Sequence, residues 1–221
     1  MATRSAPTAT TTATDTASYD RFAGICALAS VVGALIYSVA FVITKTVSLY
    51  SLALLVGGIF TSIVMVAIYQ HVRATDAGFA LLGLGLALAG AIGSIVHGAY
   101  DLSNALHPET SPSHVLTGAS ADALATLPSG VDPRGVLTFG LAGLGLFVLS
   151  WLIVRGGALP KGLGYLGLLL AVLLVYLYVG RLIIFDANNL ALKGPAGLTG
   201  LLISPLWSLW TGIVLLRSKR A

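Results

Sequence analysis

The sequence predicts an all-α protein, a polytopic transmembrane bundle of six helices. Hydrophobic residues make up 57% of the 221-residue chain and charged residues only 9%. The mean hydropathy is +0.94. Soluble proteins carry roughly a quarter charged residues, so this chain has too few polar side chains to cover a globule in water. A soluble fold is therefore excluded, and a helical membrane protein is what remains.

Six apolar stretches are each long enough to cross a bilayer. A hydrocarbon core of about 30 Å needs roughly 20 residues of α-helix. The stretches of this length are residues 22–44, 49–70, 77–100, 135–154, 162–184 and 195–216. Residues at their boundaries support these limits, because Asp76 and Asp132 are placed to cap helices, and Pro133, Pro160 and Pro195 each fit a first helical turn.

The domain organisation follows from the same pattern. Residues 1–21 are rich in Thr and Ala and hold almost nothing to bury, so we expect a flexible polar tail. We expect residues 22–217 to form one transmembrane domain and residues 218–221 a short basic cytoplasmic tail. An outer loop at about residues 101–134 joins helices three and four. Within it, residues 120–127 predict a short helix, either a lid over the bundle or one turn of a variable loop.

The distribution of basic residues predicts the orientation. Eight of the 12 Lys and Arg residues fall on the side that carries both termini. Cytoplasmic segments are enriched in Lys and Arg, so we expect both termini in the cytoplasm. The net charge of +4 then reflects topology, because no basic cluster is interleaved with aromatic residues as in nucleic-acid binding. The expected partner is the lipid bilayer, not a nucleic acid.

Small residues in helix six predict a packing seam. They recur at every fourth position, as Ala196, Gly200, Ser204, Ser208 and Gly212. Such a stripe lets another helix backbone approach closely, and we interpret it as packing inside the bundle, with a homodimer face as the alternative. Pro205 interrupts the same helix and is expected to kink it.

Two glycine-rich runs resemble each other, at residues 82–86 in helix three and 143–146 in helix four. Helices three and four do not correspond in an inverted repeat of three helices. The abundance of Leu and Gly therefore explains the match more simply than a repeat does.

One polar constellation stands out, at the outer end of helix three. At 100° per residue, His97, Asp101 and Asn104 fall within about 60° of one another. Helix five reaches the same depth with Arg181, which we expect to pair with Asp101. The candidate ligand-binding residues are His97, Tyr100, Asp101, Asn104, Tyr178 and Arg181.

Two interpretations of this constellation remain open. Ionisable side chains at membrane depth are costly unless they face a partner or a cavity. The residues could form a structural network at the outer rim. They could instead form an outward-facing pocket for a lipid headgroup, a small amphiphile or a partner subunit, which is the function we favour for this integral membrane protein.

Enzyme chemistry has little support in the sequence. No zinc-protease, serine-hydrolase, nucleotide-binding or dithiol motif lies in the context it would need, and Cys26 is the single cysteine. We therefore predict no catalytic residue, no cofactor and no metal, since His97, His107 and His114 lack zinc-ligand spacing. An intramembrane hydrolase that uses His97 and Asp101, and a small transporter, are the alternative functions.

Four short segments carry a resemblance to a known group of proteins. They are residues 131–135 (VDPRG), 156–167 (GGALPKGLGYLG), 178–183 (YVGRLI) and 205–212 (PLWSLWTG). Together they resemble small bacterial multi-pass membrane proteins grouped as a domain of unknown function, over about residues 22–217. The resemblance implies a helical bundle in a bacterial cytoplasmic membrane, and it implies no activity.

Overall fold

A computed structural model describes residues 12–110, 131–184, 186 and 189–218. In this part of the chain the regular elements are all helices, and six are long and apolar enough to cross a membrane, as predicted. Their bounds are α1, Thr12–Ser38; α2, Val47–Val72; α3, Ala77–Leu106; α4, Val136–Gly156; α5, Lys161–Ile183; and α6, Leu190–Arg217.

The six helices form a closed ring in chain order. Each helix packs against the next one along the chain, α6 packs against α1, and α2 also touches α4. Because successive helices alternate in direction, the start of α1 and the end of α6 share one end of the bundle, here called the termini end. The opposite end, called the loop end, holds the end of α3 and the start of α4. Within the ring, α4 lies between α3 and α5.

Asp76 is an N-cap as the sequence predicted, whereas α4 begins at Val136 with Gly135 as its N-cap, so Asp132 and Pro133 precede the helix. Asp76 Oδ1 accepts a hydrogen bond from Phe79 N–H at 3.1 Å, at the start of α3. Asp132 accepts from Leu137 N–H at 3.4 Å and from Thr138 N–H at 2.9 Å. These bonds satisfy backbone donors that have no partner within a helix's first turn. They fix the starts of α3 and α4.

The first helix begins earlier than predicted. We expected residues up to 21 to be a polar tail, whereas α1 already starts at Thr12. Asp20 is fully buried and its Oδ2 lies 3.2 Å from His71 Nε2 on α2. A buried carboxylate needs such a partner, and this pairing lets a polar turn pack inside the bundle. Residues 1–11 of the predicted tail lie outside the described part of the chain.

The sixth helix also begins earlier than predicted, at Leu190. Asn189 caps it by accepting from Ala191 N–H at 2.9 Å, so Pro195 lies inside the helix and not in its first turn. A π-helical segment at Thr199–Ile203 lies just ahead of Pro205, where the sequence predicted a kink. Proline removes a backbone donor, and a wider turn accommodates the loss.

Glycines bring α3 and α4 into close contact. A methyl group at Gly145 would lie 2.7 Å from Ala87 Cα and 2.8 Å from Gly83 O. One at Gly90 would lie 2.6 Å from Ala142 Cα. The two glycine-rich runs that resemble each other therefore pack against each other, as is common where transmembrane backbones approach closely.

The small-residue seam of α6 faces α1 of the same chain. A methyl group at Gly200 would contact Ser38 Oγ, and one at Gly212 would lie 3.0 Å from Gly24 O and 2.8 Å from Leu28 Cδ2. These positions confirm the predicted packing inside the bundle.

Candidate functional site at the loop end

The centre of the candidate site is a histidine–aspartate pair on α3. His97 Nε2 lies 3.1 Å from Asp101 Oδ2, and the two side chains are only 15% and 16% exposed. Residues four apart share one face of a helix, so the spacing alone brings them together. The pair sits in the last part of α3, which continues to Leu106 at the loop end.

The second ring nitrogen of His97 has no hydrogen bond to any described residue, although the atom is buried. If the neutral imidazole donates from Nε2 to Asp101, Nδ1 is left as an acceptor. The pair therefore offers two acceptors to a ligand, a carboxylate oxygen and an imidazole nitrogen. Chemically it can bind a cation or a hydrogen-bond donor.

Arg181 enters the site from the last turn of α5. Its guanidinium carbon lies 5.5 Å from the ring centroid of Phe139, which belongs to the first turn of α4. A methyl group at Gly135 would contact the Phe139 ring and would lie 3.4 Å from Arg181 Nη1. Gly135 has φ +76°, a left-handed conformation that favours glycine. The turn before α4 thus leaves room for the arginine and the aromatic ring.

The predicted ion pair between Asp101 and Arg181 is wrong. Neither of these described side chains lies within ion-pair distance of the other: Asp101 is paired with His97, and Arg181 rests on Phe139. The reason is the order of helices in the ring, since α4 lies between α3 and α5. Both side chains nevertheless flank the first turn of α4. A methyl group at Gly93, one turn before His97, would contact Leu137, and one at Gly135 would lie 3.4 Å from Arg181 Nη1.

Two tyrosines that the sequence analysis did not assign to the site form its third side. Tyr37 at the end of α1 stacks on Phe41 at 5.6 Å and meets Tyr50 of α2 edge to face at 6.2 Å. Tyr50 lies beside the part of α2 that packs on α3 near Asp101, where a methyl group at Gly98 would lie 2.6 Å from Ser51 O. Tyr37 lies eight residues before Lys45 and Tyr50 five residues after it, so both fall near the same end of the α1–α2 hairpin, which was the available signal.

The other predicted site residues contribute less. Tyr178 packs against α4, where a methyl group at Gly140 would lie 3.1 Å from its ring carbon Cδ1. Tyr100 and Asn104 are half-buried on α3, and their side chains make no hydrogen bond with the described residues.

Metal ligation has no cluster to support it in the described ranges. No group of three His, Cys, Asp or Glu side chains there could hold a metal ion. His107 Nδ1 lies 3.6 Å from Glu109 Oε1, and both side chains are about two-thirds exposed. His114 and the predicted lid helix at residues 120–127 lie outside the described part of the chain.

The interior of the bundle also contains buried polar groups, farther from the loop end than the site. Trp207 Nε1 on α6 and Ser150 Oγ on α4 are buried and make no hydrogen bond with any described residue. A methyl group at Gly167 of α5 would touch Ser150 Oγ and lie 2.9 Å from Trp207 Nε1. A cavity of about 20 Å³, room for about one water molecule, lies nearby. It is lined by Ala27, Ser30, Thr61, Val64, Met65, Trp207 and Ser208.

Comparison of the chain with protein-family models, with curated proteins and with solved structures gives no match. The resemblance to bacterial membrane proteins of unknown function therefore stays a prediction.

Proposed function

We propose that this chain is a membrane-embedded binding protein whose loop-end site holds a phosphate or carboxylate group in the headgroup of a lipid or another small amphiphile. The observation that carries the proposal is Arg181. Its guanidinium lies beside Phe139 and makes no hydrogen bond or ion pair with any described residue. A guanidinium binds phosphate or carboxylate through two parallel hydrogen bonds. An uncompensated cation near the hydrocarbon edge is costly, and a bound anion offsets that cost.

The surroundings of Arg181 favour an amphiphile over a soluble anion. The next two residues on α5, Leu182 and Ile183, are 45% and 71% exposed on the bundle surface. In a membrane these side chains meet lipid. An amphiphile can therefore place its headgroup at Arg181 and its acyl chains along the apolar surface of α5.

We also propose that the protein resides in a bacterial cytoplasmic membrane with the termini end in the cytoplasm. The support is the excess of Lys and Arg at that end. The loop end, and with it the site, then faces outward. The headgroup would come from the outer leaflet or from the periplasmic or extracellular side.

Cysteine labelling in intact cells tests this orientation. In a Cys26→Ala background, single cysteines are placed at Ser111 and at Ser218 and treated with a membrane-impermeant thiol reagent. Residue 111 should react, and residue 218 should react only after permeabilisation. Equal protection of both residues, or the reverse pattern, would contradict the orientation.

Lipid retention measured by native mass spectrometry tests the function. The protein is purified in detergent, incubated with phospholipid and compared with the variant Arg181→Gln. Loss of a charge-assisted hydrogen bond should lower the retained lipid by about tenfold. Lys193→Gln is the matched control, because Lys193 is an exposed cation at the same end. Equal losses in both variants would indicate non-specific attraction and refute the proposal.

The His97–Asp101 geometry favours one alternative, an intramembrane hydrolase in which Asp101 orients His97 as a general base. That reaction also needs a nucleophile, which an incoming water would have to supply. The same mass spectra separate the two functions. Hydrolysis would release fragments of the added lipid, and His97→Gln would stop the release, whereas a binding protein leaves the lipid intact.

A further inference from the structure

The loop-end site holds two opposite charges apart. Asp101, with His97, lies on α3, and Arg181 lies on α5. Opposite charges near the hydrocarbon edge gain from pairing because both are poorly solvated there. The first turn of α4 lies between them, and Phe139 of that turn covers the guanidinium. A ligand with one negative and one positive group could satisfy both side chains at once.

We propose that the site selects an amphiphile whose headgroup carries both a phosphate and a primary ammonium group, as phosphatidylethanolamine does. The phosphate would bind Arg181, and the ammonium would bind Asp101 and His97 Nδ1. This inference rests on the proposed function and adds the chemical class of the ligand.

The acceptors in the site argue for a primary ammonium. Such a group has three N–H donors. Asp101 has carboxylate lone pairs beyond the bond to His97, and His97 Nδ1 is a buried acceptor without a described partner. A trimethylammonium group has no N–H and would leave that nitrogen unsatisfied, which is costly in a buried site.

The aromatic side of the site is compatible with a cation. Tyr37 and Tyr50 lie edge to face at 6.2 Å, next to the point where Ser51 of α2 approaches Gly98 of α3. Ring faces attract ammonium groups of any substitution. The aromatic residues therefore add affinity for a cation, while the acceptors on α3 distinguish primary from quaternary ammonium.

A headgroup without an ammonium would be disfavoured for a different reason. Phosphatidylglycerol has the same phosphate and no positive group, so the Asp101 carboxylate would remain uncompensated beside an anion. Like charges in a weakly polar environment repel strongly. The site should therefore rank phosphatidylethanolamine above both phosphatidylcholine and phosphatidylglycerol.

The test is a competition at equal concentrations among these three phospholipids with identical acyl chains. The lipid retained by the wild-type protein is identified by native mass spectrometry. We expect phosphatidylethanolamine to exceed each of the others by about tenfold, the change expected from one charged hydrogen bond. In Asp101→Asn this preference should disappear. In Glu109→Gln, which removes an exposed carboxylate at the same end, the preference should stay.

The result in the wild-type protein decides the inference even if Asp101→Asn fails to fold. Equal retention of the three lipids, with loss of all three in Arg181→Gln, would overturn the ammonium assignment and leave the proposed function standing. Retention that does not depend on Arg181 would overturn both. Displacement of the lipid by an excess of free phosphoethanolamine would identify a soluble ligand and overturn the assignment of an amphiphile.

Discussion

Replacing Gly145 with alanine tests the contact between α3 and α4. The added methyl group would contact Ala87 N and lie 2.7 Å from Ala87 Cα and 2.8 Å from Gly83 O. All three are backbone atoms, which no side-chain rotation can move aside, so the two helices must separate. Overpacking costs typically about 1–3 kcal/mol, and a backbone contact belongs at the upper end of that range. Alanine regains about 1 kcal/mol of helix propensity. The expected net loss is therefore about 2 kcal/mol.

The matched control is Gly85→Ala on α3. Gly85 has no atom within 4 Å of the position that a methyl group would occupy. Only the helix propensity changes there, so this variant should gain up to about 1 kcal/mol. The two glycine-to-alanine replacements should therefore differ by about 3 kcal/mol in the free energy of unfolding.

The assay is thermal unfolding in detergent, followed by tryptophan fluorescence. For a domain of this size, 1 kcal/mol shifts Tm by about 2–4 °C. Gly145→Ala should lower Tm by about 4–8 °C, and Gly85→Ala should raise it slightly. The reasoning is refuted if both variants shift Tm in the same direction, or if Gly145→Ala matches the wild type.

Three further predictions use the same measurement. Gly200→Leu inserts bulk into the α6–α1 seam and should lower the free energy of unfolding by about 1–3 kcal/mol. Leu209→Ile, one position off the seam, should leave it nearly unchanged. Similar losses in both variants would mean that the seam is not a packing surface. Trp207→Phe and Ser150→Ala should each destabilise by about 1 kcal/mol, and the double variant by less than the sum, if one water links the two polar groups. Additive losses would assign them separate partners. Asp20→Ala should cost about 3 kcal/mol because it breaks a buried pair, and an unchanged Tm would place residue 20 in a solvated tail.

Much of the candidate site could be predicted because its parts are local. His97 and Asp101 are four residues apart, so a single helix is enough to bring them together. Arg181 could be assigned to the same membrane depth by counting residues along its own helix. Its contact with Phe139 could not be predicted. The expected Asp101–Arg181 pair requires α3 and α5 to be neighbours, and α4 lies between them.

The sequence by itself determined the helical class, the six segments long and apolar enough to span a membrane, the cap at Asp76 and the small-residue seam of α6. Each depends on length, hydropathy or spacing within one segment, and a bilayer imposes these constraints without reference to other helices. Only the tertiary structure decided the order of helices in the ring and which faces meet. Apolar residues surround these helices on all sides, so the pattern does not mark an inward face. For that reason the Asp20–His71 pair, the position of Tyr37 and the glycine contacts of α3 with α4 became visible only once the helices were packed together.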